Sequence, residues 1–475
     1  MQADDAQQIR QNLAGDPHRP LYHFLPPHHW MNDPNGLIEW NGHYHLFYQH
    51  NPNSPAWGDI HWGHAVSQDL FHWMDYPIAL APDPGGWDES GCWSGCAINF
   101  HRIPTLMYTG RKDDDELVCL ATSQDDDLAT WQKHPRNPAY VNPPKDLALS
   151  GFRDPFVWRN GMGWNMIIGS GYPYQGGVIF LYKSNDLMRW ELFGPLFEGN
   201  NLDLGDMWEC PNLLHIGDKY LLLISVMAQR KVVYFTGDLL NGKFIPQNQG
   251  MFDAGGAYYA PLGFYDQKGR VIVFGWSCEE RSEEAQRKVG WAGVQALPRQ
   301  LSISADGSLS IEPVEEVETL RGELCEVGQV NVEPDAEVFL PFSGNCLELS
   351  FSMTARTEKL GVRVLCAPDS SEYTEIGYNR QSGCVYIDRA KSSTSPSTYK
   401  DDVSEKINLD DGKPLNMHIF IDRSMVEVFV NNRWCLTSRV YPEGRESVKV
   451  SLFSNQEKAI FEAVRGWQLE HVWPD

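Results

Sequence analysis

A seven-residue pattern recurs through the first half of this chain and restricts its fold more than any other feature. Ser67-Gln68-Asp69-Leu70-Phe71-His72-Trp73 is matched by Ser184-Asn185-Asp186-Leu187-Met188-Arg189-Trp190. Ser123 to Trp131 is a looser copy with two extra Asp, and Thr236-Gly237-Asp238-Leu239 is a degenerate one that ends at Phe244. The starts are 56, 61 and 52 residues apart, close to the size of one propeller blade. Between the copies lie short β-rich runs such as Tyr44 to Tyr48, Gly177 to Tyr182, Tyr220 to Ile224 and Val271 to Phe274. A unit of this size cannot bury its apolar face alone and must stack on its neighbours. An all-β chain that opens with a β-propeller is expected. Extending the period from about residue 20 to about 305 gives five blades, four with a visible copy and one inferred.

Past Leu301 to Ser304 the texture changes. Pro313 to Leu320 reads as a short helical connector with its apolar residues on one side. Alternating strands then return at Leu347 to Phe351, Leu360 to Leu365, Val385 to Asp388, Met417 to Ile421, Met425 to Val430 and Val448 to Phe453. Strands of this kind over some 140 residues fit a β-sandwich. The expected organisation is a polar N-terminal extension over 1–20, a five-bladed propeller over 21–310, a linker over 311–331 and the sandwich over 332–475. The Ser/Thr/Pro patch Lys391 to Ser397 reads as a mobile loop.

Composition narrows the function classes. A net charge of −24 over 475 residues repels nucleic acid and anionic membranes and suits neutral or cationic small ligands. No apolar run is long enough to span a bilayer. Seventeen Trp, 19 Tyr and 21 Phe include platforms for the C–H faces of sugars. The ten cysteines are scattered singly, and Cys92 and Cys96, four apart, lack a second Cys/His pair nearby. No metal or other cofactor is therefore expected. The stretch from Met1 to Pro20 is polar and carries Asp4, Asp5 and Asp16, unlike a targeting peptide. A cytoplasmic setting is the expectation.

Three acids stand out because each lies one or two residues before a turn-forming proline and near an aromatic ring or an arginine: Trp30-Met31-Asn32-Asp33-Pro34-Asn35-Gly36, Arg153-Asp154-Pro155 and Trp208-Glu209-Cys210-Pro211. Each is expected on a sharp, fixed bend, and propeller loops bring distant residues to one axial pocket. Splitting an acetal between sugars needs one carboxylate at the anomeric carbon and a second, protonated, for the leaving oxygen. Trp208 and Cys210-Pro211 are expected to desolvate Glu209 and raise its proton affinity. Arg153 is expected to keep Asp154 ionised.

In these motifs the chain resembles the fructan- and sucrose-cleaving enzymes of glycoside hydrolase family 32. The resemblance covers nearly the whole length. It includes the three acid motifs with Trp62-Gly63-His64-Ala65-Val66-Ser67, Trp93-Ser94-Gly95, Leu297-Pro298-Arg299 and Asp422-Arg423-Ser424-Met425-Val426-Glu427-Val428-Phe429. It implies a five-bladed propeller joined to a β-sandwich, with Asp33 as nucleophile, Glu209 as acid/base and Asp154 holding fructosyl hydroxyls. It further implies Asn32, Gln49, Trp57, Trp93, Ser94, Arg153 and Trp276 as contacts of the fructose pocket. One of Tyr258 and Tyr259 is expected to orient the acid. Cys96, Asn212 and Leu262 depart from the family's usual Ser, Asp and Gln, which leaves the leaving-group side open.

The leading expectation is a retaining β-fructofuranosidase acting on sucrose and short fructosides. Alternatives with the same site are a sucrose-6-phosphate hydrolase, a fructosyltransferase or an exo-fructanase. A sugar-binding propeller without catalysis is the alternative outside enzymology. The sandwich is expected first as a buttress, and as the surface for any homo-oligomer.

Overall fold

The computed structural model describes residues 3–144, 147–199, 202–354, 357–407, 409 and 413–474. Met1 and Gln2, the start of the expected N-terminal extension, lie outside them. Among the described residues, five sheets follow one another between His29 and Pro313, and two six-stranded sheets between Arg321 and Leu469 make the C-terminal third. The first strands of the five are His29–Trp40, Gly91–Phe100, Phe152–Asn160, Trp208–Ile216 and Tyr258–Tyr265. They touch one another in a closed cycle, so the sheets stand as blades around one axis. Trp291–Ala292 closes the ring by pairing parallel to His29 and Trp30.

The recurring pattern is the corner between the third and outermost strands of a blade. Asp69 accepts the N–H groups of Phe71 and His72, and Asp186 those of Met188 and Arg189. Such local bonds let an Asp fold the backbone over itself. Leu70, Leu128 and Leu187 take φ of 70°, 56° and 63°. In each copy the Trp indole N–H satisfies the carbonyl of that Leu, at 2.9, 2.9 and 2.7 Å. In the fourth sheet Asn241-Gly242 makes a tight hairpin instead, with φ of 52° and 75°. In the fifth, a longer hairpin closed between Ser304 and Ser308 turns at Gly307, with φ of 79°, which is why no copy is visible there.

Leu309–Pro313 is the outermost strand of the fifth sheet, and Arg321–Val332 pairs as an edge strand of the sandwich. The stretch expected as a linker over 311–331 thus shortens to the 3-10 turn Glu315–Leu320, which buries Val317 and Leu320. Ala3–Leu13 is a helix, where sequence suggested only a polar extension; its Arg10 pairs with Asp75 at 2.9 Å and covers the Trp473 ring at 3.8 Å. The Ser/Thr/Pro patch is held at its end rather than free, since Ser397 O accepts the N–H of Ser282 at 2.9 Å.

The sandwich has its own apolar core, yet Phe420, Met425, Phe429 and Cys435 pack into the propeller's. A buried polar seam runs beside them. Asp422 accepts the N–H groups of Leu21, Tyr22 and His23, at 2.6, 2.9 and 2.9 Å. The two ring nitrogens of His23 face Asp422 at 2.8 Å and Glu427 at 3.0 Å. Arg299 reaches Asp253 at 2.7 Å and Glu427 at 3.1 Å. The motifs around Arg299 and Asp422 to Phe429 are therefore the joint between the domains.

Candidate active site

Each of the five first strands carries an irregularity in its pairing at the end facing the same mouth of the propeller, and His29–Trp40 carries a second, between Asn35 and Ile38. The breaks fall between Met31 and Pro34, Trp93 and Gly95, Arg153 and Phe156, Glu209 and Asn212, and Tyr259 and Leu262. Each inserts one extra residue opposite the neighbouring strand, which is a β-bulge. Pro34, Pro155, Pro211 and Pro261 have no N–H to give to a ladder. Gly95 serves in the fifth case, where a Cβ would fall 2.0 Å from the Met107 carbonyl oxygen. Asp154, Cys210 and Ala260 take φ of 63°, 46° and 47°. The acids were expected on turns. They lie inside strands, because proline interrupts the ladder for one residue without ending it. Aligned on the bulges, Asn32-Asp33-Pro34, Trp93-Ser94-Gly95, Arg153-Asp154-Pro155, Glu209-Cys210-Pro211 and Tyr259-Ala260-Pro261 form a second repeat, which sequence inspection missed.

A pocket of about 270 Å³ opens over the bulges and is lined by Asp33, Asp154 and Glu209 together. Asp33 is 9% exposed. Its Oδ1 accepts from Asn32 at 3.0 Å, and its Oδ2 accepts from Ser94 Oγ at 2.5 Å and Gln49 Nε2 at 3.1 Å. Asn32 is itself set by Gln49 and by the indole N–H of Trp30, at 3.0 and 2.7 Å. Burial pushes Asp33 up to about 6, against the opposing hydrogen bonds of Ser94 and Asn32 and with help from the charge of Glu209. Burial likewise pushes Asp154 up to about 7, Arg153 opposing. Its Oδ2 accepts the Cys210 N–H at 2.9 Å, and the Cys210 thiol lies 3.6 Å from both Asp33 and Asp154.

Arg153 does not grip the acid next to it in sequence. Its Nη2 and Nε reach Glu209 Oε1 at 2.7 and 3.1 Å, and its Nη1 reaches Glu116 at 2.8 Å. The expectation that Arg153 keeps Asp154 ionised is corrected by burial, the larger effect. Trp208 does not desolvate Glu209 either. Successive strand residues point to opposite faces, and Trp208 packs away from the pocket against Gly177 and Phe197. The other oxygen of Glu209 accepts from Tyr259 Oη at 2.6 Å. Tyr259 thus faces the site, while Tyr258 is buried beneath it with Arg299 stacked at 4.1 Å.

Trp57, Trp93 and Trp276 wall the pocket; Trp57 stands edge to face with Trp93, centroids 5.9 Å apart, and Trp276 with Trp30 behind it, 5.7 Å apart. Trp57 remains 56% exposed. Asn32, Gln49, Trp57, Trp93, Arg153 and Trp276 line the pocket; Ser94 lies just under it, behind Asp33. Sequence reasoning missed Glu116, which has no motif and is brought to Arg153 only by the packing of neighbouring blades. Among the described residues, no group of three His, Cys, Asp or Glu side chains is arranged to hold a metal ion.

The opposite mouth holds a larger cavity, about 910 Å³, lined by Trp40, Ile98, Val157, Trp164 and Phe264. None of the three acids reaches it, so size does not mark the site here. Cys96 and Leu262 line that lower cavity, and Asn212 ties Cys210 O to Pro261 O at 2.9 and 2.8 Å. These departures were expected to bear on the leaving-group side. They lie below the acids because each follows its bulge by one residue and so points down the axis.

The model for the N-terminal domain of glycosyl hydrolases family 32 matches residues 23–313, and that for the family's C-terminal region matches 316–468. Sucrose-6-phosphate hydrolase of Escherichia coli is 33% identical over 96% of each chain. Raffinose invertase of the same organism is 32% identical over 95% of each. The crystal structure of fructan 1-exohydrolase IIa from Cichorium intybus is similar at a TM-score of 0.88 and 26% identity, covering 96% of this chain and 98% of that one.

Proposed function

The chain belongs to glycoside hydrolase family 32 and is a glycoside hydrolase; from that premise we propose a retaining β-fructofuranosidase in which Asp33, Glu209 and Asp154 carry the reaction. The observation that supports these roles most is the unlike dressing of the acids around one pocket. Asp33 is pinned by Asn32, Ser94 and Gln49, which aims one oxygen and leaves little freedom to lose on attack. Glu209 is less buried than Asp33 and is held by Arg153 and Tyr259, on the side we assign to the leaving oxygen. Asp33 attacks the anomeric carbon while Glu209 gives its proton to the departing sugar. Glu209 then takes a proton from water, and that water frees the fructose from Asp33. Asp154 accepts hydrogen bonds from fructosyl hydroxyls, and these strengthen as charge builds at the transition state. Asn32, Gln49, Trp57, Trp93, Ser94, Arg153 and Trp276 shape the fructosyl pocket.

This reading requires Asp33 and Glu209 about 5–5.5 Å apart and a product of retained configuration. Proton NMR of the first-formed methyl β-fructoside in aqueous methanol tests it. Retention is expected, and an inverted product removes Asp33 as nucleophile. Glu209→Gln is expected to lose most activity on sucrose and to regain much of it on p-nitrophenyl β-fructofuranoside, whose leaving group needs no proton.

Sucrose and short fructosides are the proposed substrates. Sucrose 6-phosphate is the second reading, which the relative from Escherichia coli favours. Catalytic efficiencies on sucrose, its 6-phosphate, 1-kestose and inulin decide between them, with long inulin expected to be poor. Cytoplasmic residence and self-association through the sandwich belong to the same proposal and are checked by fractionation and sedimentation.

A further inference from the structure

Arg153 faces two carboxylates at once. One edge of its guanidinium holds Glu209 Oε1, and Nη1 holds Glu116 Oε1 at 2.8 Å. Glu116 lies on Asp115–Ser123 of the second blade, Arg153 on the first strand of the third and Glu209 on that of the fourth. The guanidinium therefore spans three blades. All three side chains are at most 18% exposed. The other oxygen of Glu116 accepts the Phe152 N–H at 2.6 Å.

A general acid must hold a proton, whereas a carboxyl gripped by an arginine with no other partner is driven to ionise. A second carboxylate on the same guanidinium changes that balance. Arg153 stays paired when Glu209 is protonated, so no buried cation is left alone. Also facing this cluster, among the described residues, are the Tyr259 hydroxyl at 2.6 Å with Arg230 beyond it, the Cys210 thiol beside the two Asp, and Arg111. Arg111 lies 3.5 Å from Glu116 and is shared with Asp114 at 3.1 Å.

We propose that Glu116 is a positioning residue for the acid step: it holds Arg153 by its far edge so that Glu209 can carry the proton that the leaving sugar takes. This rests on the assignment of Glu209 as acid/base given above. Glu116→Gln keeps the shape and removes the charge. On sucrose, its kcat/KM at pH 7 is expected to fall about tenfold, with the basic limb of the pH profile moved about one unit to the acid side. At pH 5 most of the wild-type rate is expected to return. On p-nitrophenyl β-fructofuranoside the first-step rate is expected to stay within about twofold at every pH. Glu116→Asp, which keeps the charge, is expected to keep the wild-type basic limb.

A loss of equal size at every pH and on both substrates would mean that Glu116 only straps the blades together, and would overturn the proposal. So would a Glu116→Asp enzyme whose limb moves as far as that of Glu116→Gln. Glu209→Gln in the same assays separates this proposal from the one beneath it. If the activated fructoside fails to rescue Glu209→Gln, the acid assignment itself is wrong. If rescue succeeds while the limb of Glu116→Gln stays in place, only the role of Glu116 falls.

Discussion

Asp33 ionises against its surroundings, since burial places its proton affinity near 6 and that of Asp154 near 7. The nucleophile must be ionised to attack, so kcat/KM on sucrose is expected to rise through an acid limb with an apparent pKa near 6. A stopped pH series checks it; a limb below about 4 would assign the titration elsewhere. The same shifts act on stability. A carboxyl raised in the folded state binds more protons there than when unfolded, so its contribution falls as pH rises from about 4 to about 7. Asp33→Asn removes that penalty. It is expected to lose turnover at least about 10³-fold, to retain sucrose binding, and to melt above the wild type at pH 8 by on the order of 1 kcal/mol of stability. The advantage should vanish near pH 4, and calorimetry at both pH values measures it. At this scale the three acids were legible because proline marks each of them in sequence. The partner of Arg153 was not, because contacts between blades leave no trace in sequence spacing. Tyr258 and Tyr259 could not be separated for a simpler reason: neighbours on a strand face opposite ways, and only the register says which way is up.

The bulge is the element that converts a strand end into a site. Its five occurrences share a form, one residue followed by proline or glycine, yet their side chains differ so much that sequence comparison passes over them. The corner repeat was visible because Asp, Leu and Trp each serve the same hydrogen bonds in three blades. Where a glycine hairpin between Ser304 and Ser308 replaced that corner, the fifth blade had to be inferred from spacing. The second bulge is the most constrained, since Gly95 has no room for a side chain against Met107 O. Gly95→Ala is expected to cost about 2–4 kcal/mol in urea unfolding and to displace Ser94 from Asp33. Activity should fall even where folding survives. A variant of wild-type stability and rate would show that the strand can shift to admit a methyl group.

Across the whole molecule, the seam at His23 joins the domains by charge as well as by packing. Burial opposes a charged His23, but the hydrogen bonds to Asp422 and Glu427 prevail and raise its proton affinity. Burial also opposes the charge of Glu427, and His23 and Arg299 outweigh it, so Glu427 is lowered. The His23 contribution is complete below about 6.5 and is lost as pH rises through its folded value. That of Glu427 is complete above about 4.5 and is lost as pH falls through its folded value. Melting followed from pH 4 to 9 should show an alkaline decline that His23→Gln flattens. An unchanged slope would remove His23 from the joint. Residues 1–320 alone leave Asp253 and Arg299 without Thr437 and Glu427, and are expected to aggregate; a soluble, active fragment of unchanged Tm would show the sandwich to be dispensable. Alternating strands made the sandwich readable, but its role as a joint was not, because Asp422 and Leu21 lie 401 residues apart. Trp473 closes the same corner, its backbone and indole N–H groups reaching Leu21 O and His23 O at 2.9 and 2.8 Å. The strand that bears Asp33 is fastened by Trp291, and the segment before it by Asp422 and Trp473. A ribosome delivers each of these fasteners hundreds of residues after the segment it holds. The nascent chain must therefore hold the segment before its first blade unfastened until the sandwich strand bearing Asp422 has left the exit tunnel.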